Sequence, residues 1–266
     1  SLDQPVRVSC EATGAYTRQL VLACLHGGVP IALLNARNVR AFARATGCLA
    51  KTDRIDAGII ARHAATFDPP VLDPSWEREE RLRQFHQRLD ALIDARARRR
   101  TSLEYYQDPE IRAEIKREIA ALTKRIETYQ ARIKYHIDED ESLKRRSTIL
   151  QQTTGVGPAV STTLLVTFPE LGTLNRKQAA ALAGLAPMNR DSGAARGRRT
   201  IQAGRSKPRK ALYMAALTAA HRNPMFIPQY QQLIARGKPV KVALTAIARK
   251  LLIYLNTQLK TELAKT

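Results

Sequence analysis

VRVSCEATGAYTRQLVLACLHGGVPIALLN (6–35) decides the fold of the first part of the chain. Its opening, VRVSCE (6–11), alternates apolar and polar residues with the period of a half-buried strand. Ala15 to His26 carries apolar residues at helical spacing and stops at Gly27-Gly28. VPIALLN (29–35) is a nearly continuous apolar run, as in a strand covered on both faces. Strand, helix and strand in that order imply a parallel pair with its crossover. Two more helices are predicted at about 36–46 and 52–66, separated by Gly47. Two strands do not make a stable sheet alone. The expectation is that this α/β segment is a fragment of a larger sheet, with partner strands upstream.

The middle of the chain changes character. Leu82, Phe85, Leu89 and Leu92 are spaced three and four apart, and Leu103 and Tyr106 keep the register. Asp108-Pro109 supplies an N-cap and a proline for the first helical position. A second stripe runs through Ile115, Ile119, Leu122, Ile126, Tyr129 and Ile133. Two amphipathic helices joined by a tight turn form either an ordinary intramolecular hairpin or a coiled-coil arm between protomers. The stripes are long and thin for a private core, which favours a dimerisation arm, although Arg96 and Arg99 occupy apolar slots of the first stripe.

The remainder is predicted to be helical with loop insertions. In TGVGPAVSTTLL (154–165), Gly155 and Gly157 mark a tight turn and Pro158 opens a helix. That is a helix-hairpin-helix-like plan, in which backbone N–H groups at a helix N-terminus hold a phosphate. A GxG alone is more often only a turn between helices. ALYMAALTAAH (211–221) and VALTAIARKLLIYLNTQL (242–259) read as core helices. The fold class expected from these patterns is α/β plus α, in segments 1–68, 69–146 and 147–266.

Charge separates the function classes. The 266 residues hold 44 Lys and Arg against 24 Asp and Glu, a net charge of +20, which points to a polyanion or a membrane surface as partner. Residues 1–68 contribute +3, 69–146 contribute +2 and 147–266 contribute +15, so the surplus belongs to the last segment. Within it, PMNRDSGAARGRRTIQAGRSKPRK (187–210) has eight cations and one acid, Asp191. A block of one sign reads as a phosphate-contacting loop, whose candidate contacts are Arg190, Arg196, Arg198, Arg199, Arg205 and Lys207, together with the Gly155–Gly157 turn. No apolar run approaches the ~18 residues of a spanning helix, and the first ten residues lack the plan of a signal peptide. Cys10, Cys24 and Cys48 lack CxxC spacing, which excludes a disulfide framework and a cysteine-rich zinc site. A cytoplasmic nucleic-acid protein, not a membrane one, is expected.

Three acids stand out. Asp53 and Asp56, in KTDRIDAGIIARHA (51–64), lie three apart at a helix start, where aspartate also simply complements the helix dipole. Glu11 ends the first strand, and ligands collect at the carboxyl ends of parallel strands. Together they suit metal-assisted phosphoryl transfer. His63 is a possible addition, with a structural role the plainer reading.

CEATGAY (10–16), KTDRIDA (51–57) and GLAPMNRDSGAARGRR (184–199) occur in the order found in the DEDD-type transposases of the IS110 family, which this chain resembles over essentially its whole length. The resemblance extends to the Piv-type DNA invertases. It implies a RuvC-like (RNase H-like) N-terminal domain, a coiled-coil arm and a C-terminal transposase domain. Glu11, Asp53 and Asp56 match the last three acids of the family's set. The first has no counterpart, so the chain is expected to begin after the opening strands of that domain. The resemblance also implies Mg²⁺ on those carboxylates and Ser192 as a nucleophile that forms a phosphoserine link to DNA. Further implications are a bridge-type guide RNA pairing with donor and target DNA, and a dimeric or tetrameric assembly in which serine and carboxylates come from different protomers. Placement favours Ser192 physically, because it is a small hydroxyl beside Gly193 among cations that can neutralise a pentacovalent phosphate. The competing readings are a metal-only junction nuclease and a non-catalytic nucleic-acid scaffold.

Overall fold

The fold was read from a computed structural model, which describes residues 6–265 except 13, 49–51, 189–190, 193–194, 197–199 and 202–203. For Ala15, Met188, Asp191, Ser192, Ala195, Arg196 and Thr200 it describes the backbone alone. The chain divides into a unit spanning residues 1–81 and a unit spanning 82–266.

The first unit is built on the pair foreseen from residues 6–35. Strand β1 (Val8–Glu11) and strand β2 (Ile31–Leu34) run parallel, in the register Val8↔Ile31 to Glu11↔Leu34. Helix α1 (Ala15–His26) makes the crossover, followed by α2 (Ala36–Ala45) and α3 (Asp53–Phe67). Alternation along the strands sorts the side chains onto two faces. Val8, Cys10, Ile31 and Leu33 join Val21 and Cys24 of α1 in one apolar cluster. Leu34 joins Val39 of α2 and Ile59 of α3 in another. The Asn35 side chain caps α2 at Arg37 N, and the Thr52 hydroxyl caps α3 at Ile55 N. All three cysteines are free, and burial pushes the Cys10 thiol up, with Cys24 beside it adding to the effect.

The second unit begins within α4 (Trp76–Tyr105), which returns as α5 (Pro109–Asp138). Asp108 accepts hydrogen bonds from Glu110 N and Ile111 N, and Pro109 opens α5, as the sequence suggested. Arg112 closes the turn by donating to the Leu103 and Tyr106 carbonyls at 2.7 and 2.8 Å. The two stripes face each other inside one chain. Leu82, Leu89 and Leu92 share a core with Ile126, Ile133 and Ile137, and Phe85 packs on Tyr129 and His136. The polar interruption has partners across the seam: Arg96 donates to Thr123, and Arg99 pairs with Glu118 at 2.5 Å. That core continues into α6 (Glu141–Gln151), α7 (Pro158–Thr167), α8 (Arg176–Leu182), α9 (Ser206–Arg222), α10 (Ile227–Ala235) and α11 (Val240–Leu263). Helix α11 supplies its centre with Leu251, Leu252, Leu255 and Leu259. Its buried Asn256 accepts from Gly172 N and donates to the Leu174 carbonyl, satisfying both ends of the amide.

Between α8 and α9, short strands form two antiparallel ladders. Strand β3 (Pro187–Met188) pairs with β6 (Thr200–Ile201), and β4 (Asp191–Ser192) pairs with β5 (Ala195–Arg196). The basic block read as a loop is thus in part a nested hairpin. No described helix is long and apolar enough to cross a membrane.

Candidate functional site

The carboxylates gather at one end of the first unit because of how α3 crosses β1. Val8 and Cys10 point toward α1, so alternation turns Arg7, Ser9 and Glu11 to the opposite face. There Arg7 and Ser9 line a cleft with Ala57, Ile60, Ala61 and Ala64 of α3. At the far end Arg7 pairs with Asp68 at 2.6 Å, so α3 runs antiparallel to β1. Its first turn therefore lies toward the carboxyl end of β1, on the Glu11 side. Asp53 and Asp56 stand four residues before Ala57 and Ile60, extending the packed stripe by one helical turn. Asp53 is exposed, while Asp56 and Glu11 are half-buried.

As donors, three carboxylates suit a hard divalent cation. Among the described residues, however, no three His, Cys, Asp or Glu side chains converge closely enough to enclose one. His63 stands apart from the acids: it is buried between Phe42 and Phe67, with ring centroids 5.5 and 4.7 Å away. That is the structural role that its apolar neighbours support.

In the second unit, Gly155 and Gly157 do different work. Gly155 has φ +105°, and a Cβ there would lie 2.9 Å from the Ala215 carbonyl and 3.1 Å from Ala219. It is the packing glycine that lets the turn sit on α9. Gly157 is the N-cap of α7, with open space where a side chain would go and no side-chain cap on the N–H groups behind it.

Ser192 lies in β4, its Cα opposite that of Ala195, and only Gly193 and Ala194 separate the paired residues. Asp191 pairs in register with Arg196. Arg190, Arg198 and Arg199 lie outside the described residues. The other two cations assigned to nucleic acid from sequence have carboxylate partners. Arg205 grips Glu170 with both terminal nitrogens, at 2.7 and 2.6 Å. Lys207 pairs with Asp90 of α4 at 2.5 Å. Burial tends to raise both carboxyls, but their partners outweigh it: His86 and Lys207 hold Asp90 below its ordinary range, and Arg205, with Arg83 adding its charge, does so for Glu170.

Sequence reasoning missed this second set of acids. His86, almost fully buried, lies with Nδ1 3.5 Å from Asp90 and Nε2 3.2 Å from the Thr163 hydroxyl. A His–Asp pair four apart on one helix was the available signal. Glu170 stands out only as one of three acids in the last 120 residues, the others being Asp191 and Glu262.

Comparison with known proteins places these features in context. Residues 147–231 match the sequence model of the transposase IS116/IS110/IS902 family, and residues 1–106 match that of the DEDD transposases of the IS110 type. Pilin gene-inverting proteins of Moraxella lacunata and Moraxella bovis are each 29% identical over 255 residues, covering 91% of this chain and 76% of theirs.

Proposed function

We infer that the chain is a transposase of the IS110 family, whose models match residues 1–106 and 147–231, and propose that it is a DNA recombinase that cuts and rejoins strands through Ser192. The observation that carries the serine reading is position. Ser192 precedes a two-residue connection in a nested hairpin, within a segment of eight cations and one acid. Its hydroxyl oxygen forms a bond to phosphorus while the bond from phosphorus to the leaving sugar oxygen breaks. The serine proton is given up and the leaving oxygen takes one. One phosphodiester replaces another, so a sugar hydroxyl of the exchanged strand can reverse the step without an external energy source.

The hairpin arginines Arg190, Arg196, Arg198 and Arg199 supply positive charge where the phosphate becomes more negative in the transition state. Glu11, Asp53 and Asp56 are the residues that would hold a divalent cation, taken as Mg²⁺, which when bound would supply Lewis-acid stabilisation to a phosphate. Gly157, open at the start of α7, leaves backbone N–H groups accessible to a DNA phosphate. The name of the Moraxella relatives supports inversion of a DNA segment as the outcome, and the family models support transposition. We extend the proposal to a bridge-type guide RNA and to a homo-oligomer. The net charge of +15 on residues 147–266 favours binding a nucleic-acid polyanion of either kind.

The test is strand cleavage by Ser192→Ala in an active preparation of the recombinase. Folding and DNA affinity should persist, because one hydroxyl adds little to a large basic surface, while cleavage should vanish. Cleavage at the wild-type rate would favour a metal-only nuclease.

A further inference from the structure

We propose that Arg205 is a positioning residue: through Glu170 it fixes the foot of the hairpin that carries Ser192, and it does not itself contact DNA phosphate. The inference rests on the serine reading for its catalytic consequence, but the clamp stands on geometry of its own.

Arg205 lies four residues beyond the end of β6 and immediately before α9. Its backbone N–H donates to the Leu182 carbonyl at 2.8 Å, tying the descending arm of the hairpin to the last residue of α8. Its side chain reaches the segment after α7, donating to both Glu170 oxygens and, at 3.1 Å, to the Thr167 carbonyl. The guanidinium also lies over the Phe168 ring, 5.7 Å from the centroid. Planar, paired donation of this kind fixes direction as well as distance, which an ammonium cannot do.

The ascending arm is held at the same place. A Cβ on Gly204 would come within 2.2 Å of Gly184 N and 2.4 Å of Gly184 Cα, so the two feet of the hairpin touch through backbone alone. Arg209, in the first turns of α9, donates to the Gly184 carbonyl at 3.4 Å. Lys207 ties the same turns to α4 through Asp90.

A phosphate contact by Arg205 would have to take donors from Glu170 and leave a half-buried carboxylate without its main partner. In a segment so poor in acids, the position of Glu170 is explained by this clamp and not by general neutralisation.

Two roles for Arg205 predict different behaviour when Glu170 is changed. If Arg205 holds the hairpin, Glu170→Gln should reproduce the defect of Arg205→Gln. Both should speed amide hydrogen exchange across 187–201. Both should also lower the rate of Ser192 adduct formation at saturating DNA by about 10-fold or more, since a displacement of ~1 Å can cost about 100-fold. DNA affinity and its salt slope should stay at wild-type values, and the charge swap Glu170→Arg with Arg205→Glu should recover part of the rate. If Arg205 contacts phosphate, Arg205→Gln should reduce the slope of log affinity against log salt by about 0.9, and Glu170→Gln should leave the rate intact or tighten binding. That pattern overturns the proposal. Unchanged exchange across 187–201 in Glu170→Gln, with the variant folded, overturns it as well, whatever Ser192 does. A wild-type protein without a Ser192 adduct counts against the serine chemistry alone and leaves the exchange result to decide the clamp.

Discussion

Arg7 and Asp68 meet at 2.6 Å across the first unit, joining the residue before β1 to the residue after α3. This pair marks the end of the cleft away from the acids and fixes the direction in which α3 passes the strand. Because α3 starts toward the carboxyl end of β1 and runs back past the strand to Asp68, its first-turn aspartates lie on the Glu11 side. Asp53 and Asp56 complement the dipole of α3, as first-turn acids do, and lie toward the end of β1 that Glu11 occupies.

Charge-neutral replacement separates these roles. Asp53→Asn and Asp56→Asn should each lower stability by less than about 1 kcal/mol, the size of a helix-dipole contribution. Divalent-cation-dependent strand cleavage should nevertheless be lost, because a hard anionic ligand has gone. Thermal unfolding and cleavage measured on the same preparations check both halves. A large loss of stability with cleavage retained would make these aspartates structural.

The arm calls for two kinds of substitution. Ile126 is buried in the seam between α4 and α5, so Ile126→Asp should unfold the hairpin and should not report on oligomerisation. Tyr105, Tyr106 and Ile111 are exposed at its turn. If the arm joins protomers by its tip, Tyr105→Ser with Ile111→Ser should lower the mass in light scattering and leave helical content unchanged. An unaltered mass would move the oligomer contact elsewhere.

Gly155→Ala should destabilise the second unit by on the order of 2 kcal/mol, from a disfavoured backbone conformation and contact with the Ala215 carbonyl. Gly157→Ser should be tolerated by the fold, because the space is open and serine is a favoured N-cap. Unfolding midpoints in denaturant compare the two.

Acid should loosen the second unit through Glu170 and Asp90. Both carboxyls are held below their ordinary range, so folding favours their ionised forms. Their contribution is complete above the ordinary carboxylate range and is lost as pH falls through the lowered folded-state values. Melting temperature should therefore fall in that acidic window, and Glu170→Gln should flatten the decline. An identical profile in the variant would remove Glu170 from the account.

Local signals were legible in the sequence and distant pairings were not. Alternation in VRVSCE, the Gly27-Gly28 stop and the Asp108-Pro109 cap each act over a few residues, and each element formed where its signal lay. The intramolecular closure of the arm was harder to read, because Arg96 and Arg99 look like defects until Thr123 and Glu118 are brought opposite them. Arg205 and Lys207 looked unpaired because their acids come from afar: Glu170 is 35 residues from Arg205, and Asp90 is 117 from Lys207. The hairpin around Ser192 escaped because two-residue strands are too short to show a period, although Gly193 between paired positions is a hairpin signal.

The central claim is that Ser192 becomes bonded to DNA, and peptide mapping of a trapped reaction tests it most directly. A recombinase reaction quenched in denaturant should contain a protein–DNA species that survives unfolding, with the phosphate on the peptide containing Ser192 and no such species from Ser192→Ala. Cleaved DNA without any covalent adduct, or an adduct mapping to another residue, would contradict the account.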